Sequence, residues 1–188
     1  IFNSLNSLRA LIDENPARAR AAVTQLANLL RYSLKSGQLE TVPLEDELRV
    51  VDDYLALEQV RHEDRLRVRL TVSPEAAAAA VPPMLLQTLV ENAVKYGIAP
   101  RREGGEIALD AACVGGELHL QVRNPGPLAR RSGSTGMGLR NAAQRLRLLY
   151  GGRARLELRE EPLGVVVAEI RLPMTTAPLN IPATESSP

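Results

Sequence analysis

Apolar residues recur at helical spacing through the first third of the chain. Phe2, Leu5, Leu8 and Ile12 form one stripe, Val23, Leu26, Leu30 and Leu34 a second, and Leu48, Val51 and Leu55 a third. Asn15-Pro16 separates the first two, and Gly37 stops the second. The third opens at Pro43 with Glu45, Asp46 and Glu47, acids that suit the positive end of a helix, and runs to about His62. Two helices joined by a tight Asn-Pro break predict an antiparallel hairpin whose apolar stripes need a partner. At Arg65 the period changes to two: Leu66, Val68, Leu70 and Val72 alternate with polar residues, which predicts a half-buried strand. A helix is expected over 82–96, then strands over 106–112 and 117–123 joined by Gly115-Gly116. A loop from Asn124 to about Thr135 leads to a helix over 138–150, stopped by Gly151-Gly152, and strands over 155–159 and 165–172. This order predicts an α+β sandwich with helices on one sheet face, behind a helical segment. The expected division is 1–62 helical, 63–174 sandwich, and 175–188 a disordered tail rich in Pro, Ser and Thr.

Composition changes this picture little. Hydrophobic residues make up 45% of the 188, enough for a core, while aromatics are 3%, so that core must rest on Leu, Val, Ile and Ala. A net charge of +1, with Arg interleaved among Glu and Leu, gives no electrostatic reason to expect nucleic acid or a membrane surface. Cys113 is the sole cysteine, so no intrachain disulfide forms, and a reducing, cytoplasmic setting is expected. No apolar run is long enough to cross a bilayer. The chain opens inside a helical pattern without Met, so a longer parent is expected, with any membrane anchor upstream.

Three segments offer chemistry. In the helix over 82–96, Thr88, Glu91, Asn92, Lys95 and Tyr96 fall at i, i+3, i+4, i+7 and i+8, opposite Leu85, Leu86, Leu89 and Ala93. Asn92 offers a carbonyl oxygen to a hard Mg²⁺ ion, and Lys95 a mobile cation to phosphate. Taken alone, such a face also fits a solvated helix surface. The run Gly133-Ser-Thr-Gly-Met-Gly-Leu-Arg-Asn141 leads straight into a helix, where bare backbone amides and the dipole suit an anion. A capped flexible loop has the same composition. Asn124-Pro-Gly126 ends a strand; its amide can accept a hydrogen bond from an adenine amino group, and the same tripeptide is ordinary turn chemistry. His119 alternates outward on its strand, and His62 ends its helix beside Glu63 and Asp64; both are expected at the surface, as are Asp52-Asp53 and Glu160-Glu161.

In this order and spacing, Asn92-Ala-Val-Lys95, Asn124-Pro-Gly126 and Gly136-Met-Gly138-Leu139 resemble the N, G1 and G2 boxes of the Bergerat-fold ATPases. Ile1-Phe-Asn-Ser-Leu-Asn6, Tyr54-Leu55, Glu58, Arg61, Asp64-Arg65-Leu66, Pro82-Pro-Met-Leu-Leu-Gln87 and Asn141…Arg145…Tyr150-Gly151 narrow the likeness to the LytS-type sensor histidine kinases of bacterial two-component systems. The resemblance covers 1–173 and implies a mixed-sheet ATP-binding sandwich behind part of a helical phosphotransfer segment. It implies ATP and Mg²⁺ as cofactors, with Asn92 the metal ligand, Lys95 at the phosphates, and Glu91 orienting a metal-bound water as a third catalytic candidate. Tyr96, Asn124, Gly126, Thr135, Gly136, Met137, Gly138 and Leu139 would complete the nucleotide site. The chain departs from the family at Asn124 for its Asp, at Pro127 and Ser134 for glycines, and at Thr88, where the hydrolysing members place a Glu. The phosphoacceptor His of the family falls two residues before Ile1. The implied reaction passes the γ-phosphoryl group to that His, for relay to an Asp of a response-regulator receiver domain, within a homodimer formed through the helical segment. Two alternatives stand beside it: a Ser/Thr kinase of the anti-sigma kind on the same fold, and a module that binds partners and has lost its nucleotide.

Overall fold

The computed structural model describes residues 11–36, 39–127 and 136–176. Phe2, Leu5, Leu8, Gly37, Thr135 and nearly all of the expected tail lie outside them. The Asn15-Pro16 joint is not a hairpin turn. Helical hydrogen bonds bridge it, Asn15 N–H to Leu11 O (2.8 Å) and Ala19 N–H to Asn15 O (3.0 Å), and Asn15 Oδ1 caps the new helix by accepting from Arg18 N–H (3.1 Å). That helix, α1 (Pro16–Ser36), instead folds against α2 (Leu44–His62), with Ala22 and Leu57 buried between them beside Leu26 and Leu29.

A five-stranded mixed sheet follows. Its strands are β2 (Leu66–Val72), β4 (Gly105–Val114), β5 (Glu117–Pro125), β6 (Arg155–Glu161) and β7 (Val165–Pro173), in the order β2-β4-β5-β7-β6. Only the β2–β4 pair is parallel. A second, two-stranded sheet was not evident from periodicity: β1 (Val42–Pro43) pairs antiparallel with β3 (Ala80–Val81), just after the short helix α3 (Pro74–Ala77). Two residues per strand are too few to show an alternation.

Helices α2, α4 (Leu85–Ala93) and α5 (Gly136–Tyr150) cover one sheet face. Alternation along β5 sets that face: Leu118, Leu120, Val122 and Asn124 are buried toward the helices, while Glu117, His119, Gln121 and Arg123 point outward. Val51 and Leu55 of α2 share one core with Leu86 and Leu89 of α4, Leu146 of α5 and Ile170 of β7. Packing is therefore continuous across His62, where the sequence period changes.

Several expectations shift for local reasons. Helix α4 begins at Leu85 rather than at Pro82, because Met84 adopts a left-handed φ of 64°. Leu70, expected inward, is 43% exposed on β2, an edge strand of the sheet. Asn124 and Pro125 continue β5 instead of opening a loop. Thr175 belongs to the fold and not to a tail, since its carbonyl accepts Ala80 N–H (2.6 Å).

His62 is the plainest correction. It is 3% exposed rather than at the surface. Arg65 donates to its Nδ1 (3.2 Å), so its proton sits on Nε2, which faces Glu58 Oε2 at 3.3 Å. Burial, with Arg61 and Arg65 nearby, lowers the His62 pKa, and burial raises that of Glu58, so both are biased toward neutrality.

Candidate nucleotide site

Helix α4 does not end as an ordinary helix. After Ala93 the hydrogen bonding widens over Val94–Ile98, and Ala99 N–H reaches back five residues to Val94 O (2.9 Å). Such a widened turn rotates the residues that follow it and often marks a functional site. The side chains that the spacing had put on one face divide between two sides of the helix. Asn92 and Tyr96 line a cavity between α4 and the sheet, walled by Leu89, Ala93, Leu139 and Ala168, with Asn124 at its base. Glu91 and Lys95 instead line the groove toward α2, with Tyr54, Glu58, Arg61 and Gln87. Glu91 accepts from Gln87 Nε2 (2.7 Å), and Lys95 Nζ lies 5.0 Å from the Tyr96 ring centroid.

Asn92 is oriented by its own helix. Its Nδ2 donates to Thr88 O one turn back (2.7 Å), and this orients the amide and leaves Oδ1 for another partner. Among the described residues no three His, Cys, Asp or Glu side chains gather into a metal site. A metal here would therefore rest on Asn92 together with oxygens brought by its ligand, a set that suits Mg²⁺, which keeps waters and phosphate oxygens.

Glycines bring the strand and helix ends together. Gly97 lies against Asn124: a Cβ there would sit 2.5 to 2.9 Å from the Asn124 side chain. Gly126, at a φ of 122°, has room beside Tyr96 O, and its N–H donates to Gly164 O (2.8 Å). A Cβ on Gly138 would stand 3.3 Å from Thr88 Cγ2, so the first turn of α5 packs closely on α4. Asn124 is 8% exposed, with Nδ2 bonded to Pro125 O (3.0 Å). Gly136 opens α5, Leu139 reaches the cavity, and Met137 is exposed.

Sequence reasoning missed Gly97, and it read Glu47 only as an acid at its own helix N-terminus. Glu47 is fully buried and accepts from Met84 N–H (2.7 Å) and Leu86 N–H (3.0 Å), capping α4 from another helix. A signal was available: Met84 stands where α4 needs a Ser, Thr, Asp or Asn, so the cap had to come from elsewhere.

A histidine kinase family model matches residues 1–66. The chain is 33% identical over 180 residues to a sensor protein LytS of Staphylococcus haemolyticus, covering 89% of this chain and 31% of that protein. To the sensor histidine kinase BtsS of Escherichia coli K12 it is 31% identical over 174 residues, covering 92% and 31%. The chain thus spans under a third of the length of these relatives. Among solved structures, the catalytic domain of histidine kinase ThkA superposes with a TM-score of 0.55 at 14% identity, over 71% of this chain and 97% of that one. Full-length ShkA in complex with AMPPNP superposes with a TM-score of 0.54 at 20% identity, over 84% and 36%. At those identities the structural likeness speaks for the fold alone.

Proposed function

Starting from the chain's membership of the LytS-type sensor histidine kinases, we propose that it is the ATP-binding part of a kinase that phosphorylates a histidine upstream of Ile1. The observation that carries the reading is the convergence of Asn92 and Tyr96 on one cavity with Asn124 at the end of β5 and Leu139 in the first turn of α5. In this reading Asn124 accepts from the adenine amino group, and the apolar walls hold the ring. Gly126 lets the ring approach the backbone, and the N-terminus of α5 with Gly136 and Gly138 faces the phosphates. Asn92 Oδ1 is the protein's ligand to Mg²⁺, which when bound offsets phosphate charge. Lys95 and Glu91, on the adjoining groove toward α2, meet the phosphate tail and the acceptor side rather than the base. Thr135 and Met137 are assigned to the edge of the site by resemblance.

Few reactive groups are needed, because phosphoryl transfer depends mostly on positioning and charge neutralisation. Thr88 stands one turn before Asn92 and packs on Gly138; it supplies no base to activate water, which favours a protein acceptor over hydrolysis. The partners proposed by analogy with the family are a receiver domain that takes the phosphoryl group on Asp and a second copy that associates through the helical segment. Val23 (51% exposed), Leu30 (45%) and Leu34 (81%) leave an apolar stripe on α1 that supports the second point. Among the described residues no helix is long and apolar enough to cross a membrane, and the region is assigned to the cytoplasm beneath any upstream anchor.

The test is an upstream-extended chain incubated with γ-labelled ATP. Acid-labile label on histidine is expected, with none on the chain that begins at Ile1. Acid-stable label on serine would move the acceptor to the anti-sigma-like class, and absence of label in both would sink the kinase reading.

A further inference from the structure

The polar groups of the cavity explain nothing about the other end of α4, where a second network sits. Glu47, in the first turn of α2, is fully buried and accepts from Tyr32 Oη of α1 (2.5 Å) as well as from the Met84 and Leu86 amides. The Tyr32 hydroxyl and both amides donate to the Glu47 carboxyl, while burial, the larger influence, raises its pKa. Arg145 of α5 joins the same node. It donates to Pro83 O (3.2 Å), just before α4, and to Leu39 O (2.8 Å), in the connection between α1 and α2. The start of the helix that carries Asn92 is thereby bonded to α2 through Glu47, linked by way of Glu47 to Tyr32 of α1, and tied at Pro83 to the helix that Gly136 opens.

A buried carboxylate is a costly way to finish one helix when a serine at its own cap would serve. What the arrangement adds is reach. Tyr32 belongs to the last turns of α1, and its hydroxyl links α1 to the cap of α4. Because α4 is one stiff element, a shift of α1 at Tyr32 displaces the frame that holds Asn92. We propose that Glu47 is a positioning residue which, through Tyr32 on one side and the Met84 and Leu86 amides on the other, sets the helical hairpin relative to the nucleotide helix. The proposal rests on the kinase reading for its consequence, since the hairpin there continues from the acceptor segment. Its physical content, a link from α1 to the start of α4, does not depend on that reading.

Tyr32→Phe separates this role from simple capping, because it deletes the arm to α1 and leaves both backbone amides their acceptor. In the upstream-extended chain, the variant should keep KM for MgATP within about twofold and lose roughly tenfold in kcat for histidine phosphorylation, as expected when reactants are held slightly out of line. Hydrogen exchange at the Met84 and Leu86 amides should quicken in the same variant. Glu47→Gln should quicken it further and weaken nucleotide binding as well. An unchanged kcat in Tyr32→Phe, or equal losses in kcat and in nucleotide affinity, would overturn the proposal. If the parent chain proved not to bind ATP, the kinase reading would fail by itself. The exchange measurement would then decide: faster exchange upholds the link, and unchanged exchange removes it.

Discussion

The two faces of the five-stranded sheet solve opposite problems. The inner face is almost wholly apolar, with Leu118, Leu120, Val122, Ile170 and Leu172 packed under α2, α4 and α5, and its buried polar exception on β5 is Asn124, at the cavity. The outer face is a lattice of charges. Arg69 and Arg123 both pair with Asp110 (3.1 and 2.9 Å), and Arg159 and Arg171 both bond Glu169. Glu169 is only 5% exposed because the arginine stems cover it. A buried polar group on the outer face is therefore matched by charged neighbours and serves stability. On the inner face Asn124 sits among apolar side chains, at the cavity proposed to take the nucleotide.

The largest effect should come from the inner face. Asn92→Ala should weaken binding of MgATP on the order of 100-fold, the scale of losing a group that holds a metal in place. It should leave the melting temperature nearly unchanged, since among the described residues the Asn92 side chain bonds its own helix at Thr88 O. Titration calorimetry beside a thermal melt would check both. Gly97→Ala should cost binding about tenfold and stability about 1–3 kcal/mol, because its Cβ must displace the buried Asn124. If this variant bound nucleotide normally, Asn124 would not be the base-reading group.

Much of this division was legible in the sequence. Period-two alternation in 117–123 marked the two faces, because Leu118, Leu120 and Val122 on one side of that strand are all buried. That Asn92, Asn124 and the glycines would lie near one another was legible through their order and spacing. The split between Asn92 and Lys95 was not, because they lie toward opposite edges of the polar face and which edge meets the sheet and which meets α2 is set by tertiary packing. Nor was His62, whose burial depends on Glu58 and Arg65 closing around it, a tertiary arrangement that a helix-end position conceals. Glu47 was hidden for a related reason: an acid in the first turn has an adequate local explanation, so its distant partners left no local trace.

On the outer face, effects should fall on stability and spare binding. Glu169→Gln should cost about 1–3 kcal/mol, since two arginines lose a charged partner, and should change the ATP dissociation constant by less than about twofold. The same carboxyl carries a pH dependence. Burial acts to raise its pKa, but hydrogen bonds from Arg171, Gln121 and Arg159 outweigh that and hold it below the ordinary glutamate value. The folded protein then keeps it ionised where the unfolded chain takes up protons. Its contribution is complete above the unfolded value, near 4.5, and is lost as pH falls through the lower folded one. Acid unfolding followed by circular dichroism should show a shallower fall below that pH in Glu169→Gln. Arg69→Ala, which removes half-exposed pairs with Glu106 and Asp110, should cost less than about 1 kcal/mol. A larger loss would mean that the lattice acts as one unit.

The most direct measurement is a calorimetric titration of this chain with ATP, in Mg²⁺ and again in excess chelator, beside the Asn92→Ala variant. The account predicts saturable binding that weakens sharply when the metal is withdrawn, and a variant that has lost most of both the affinity and the metal dependence. Binding that is indifferent to magnesium and to Asn92, or no binding at all, would contradict it.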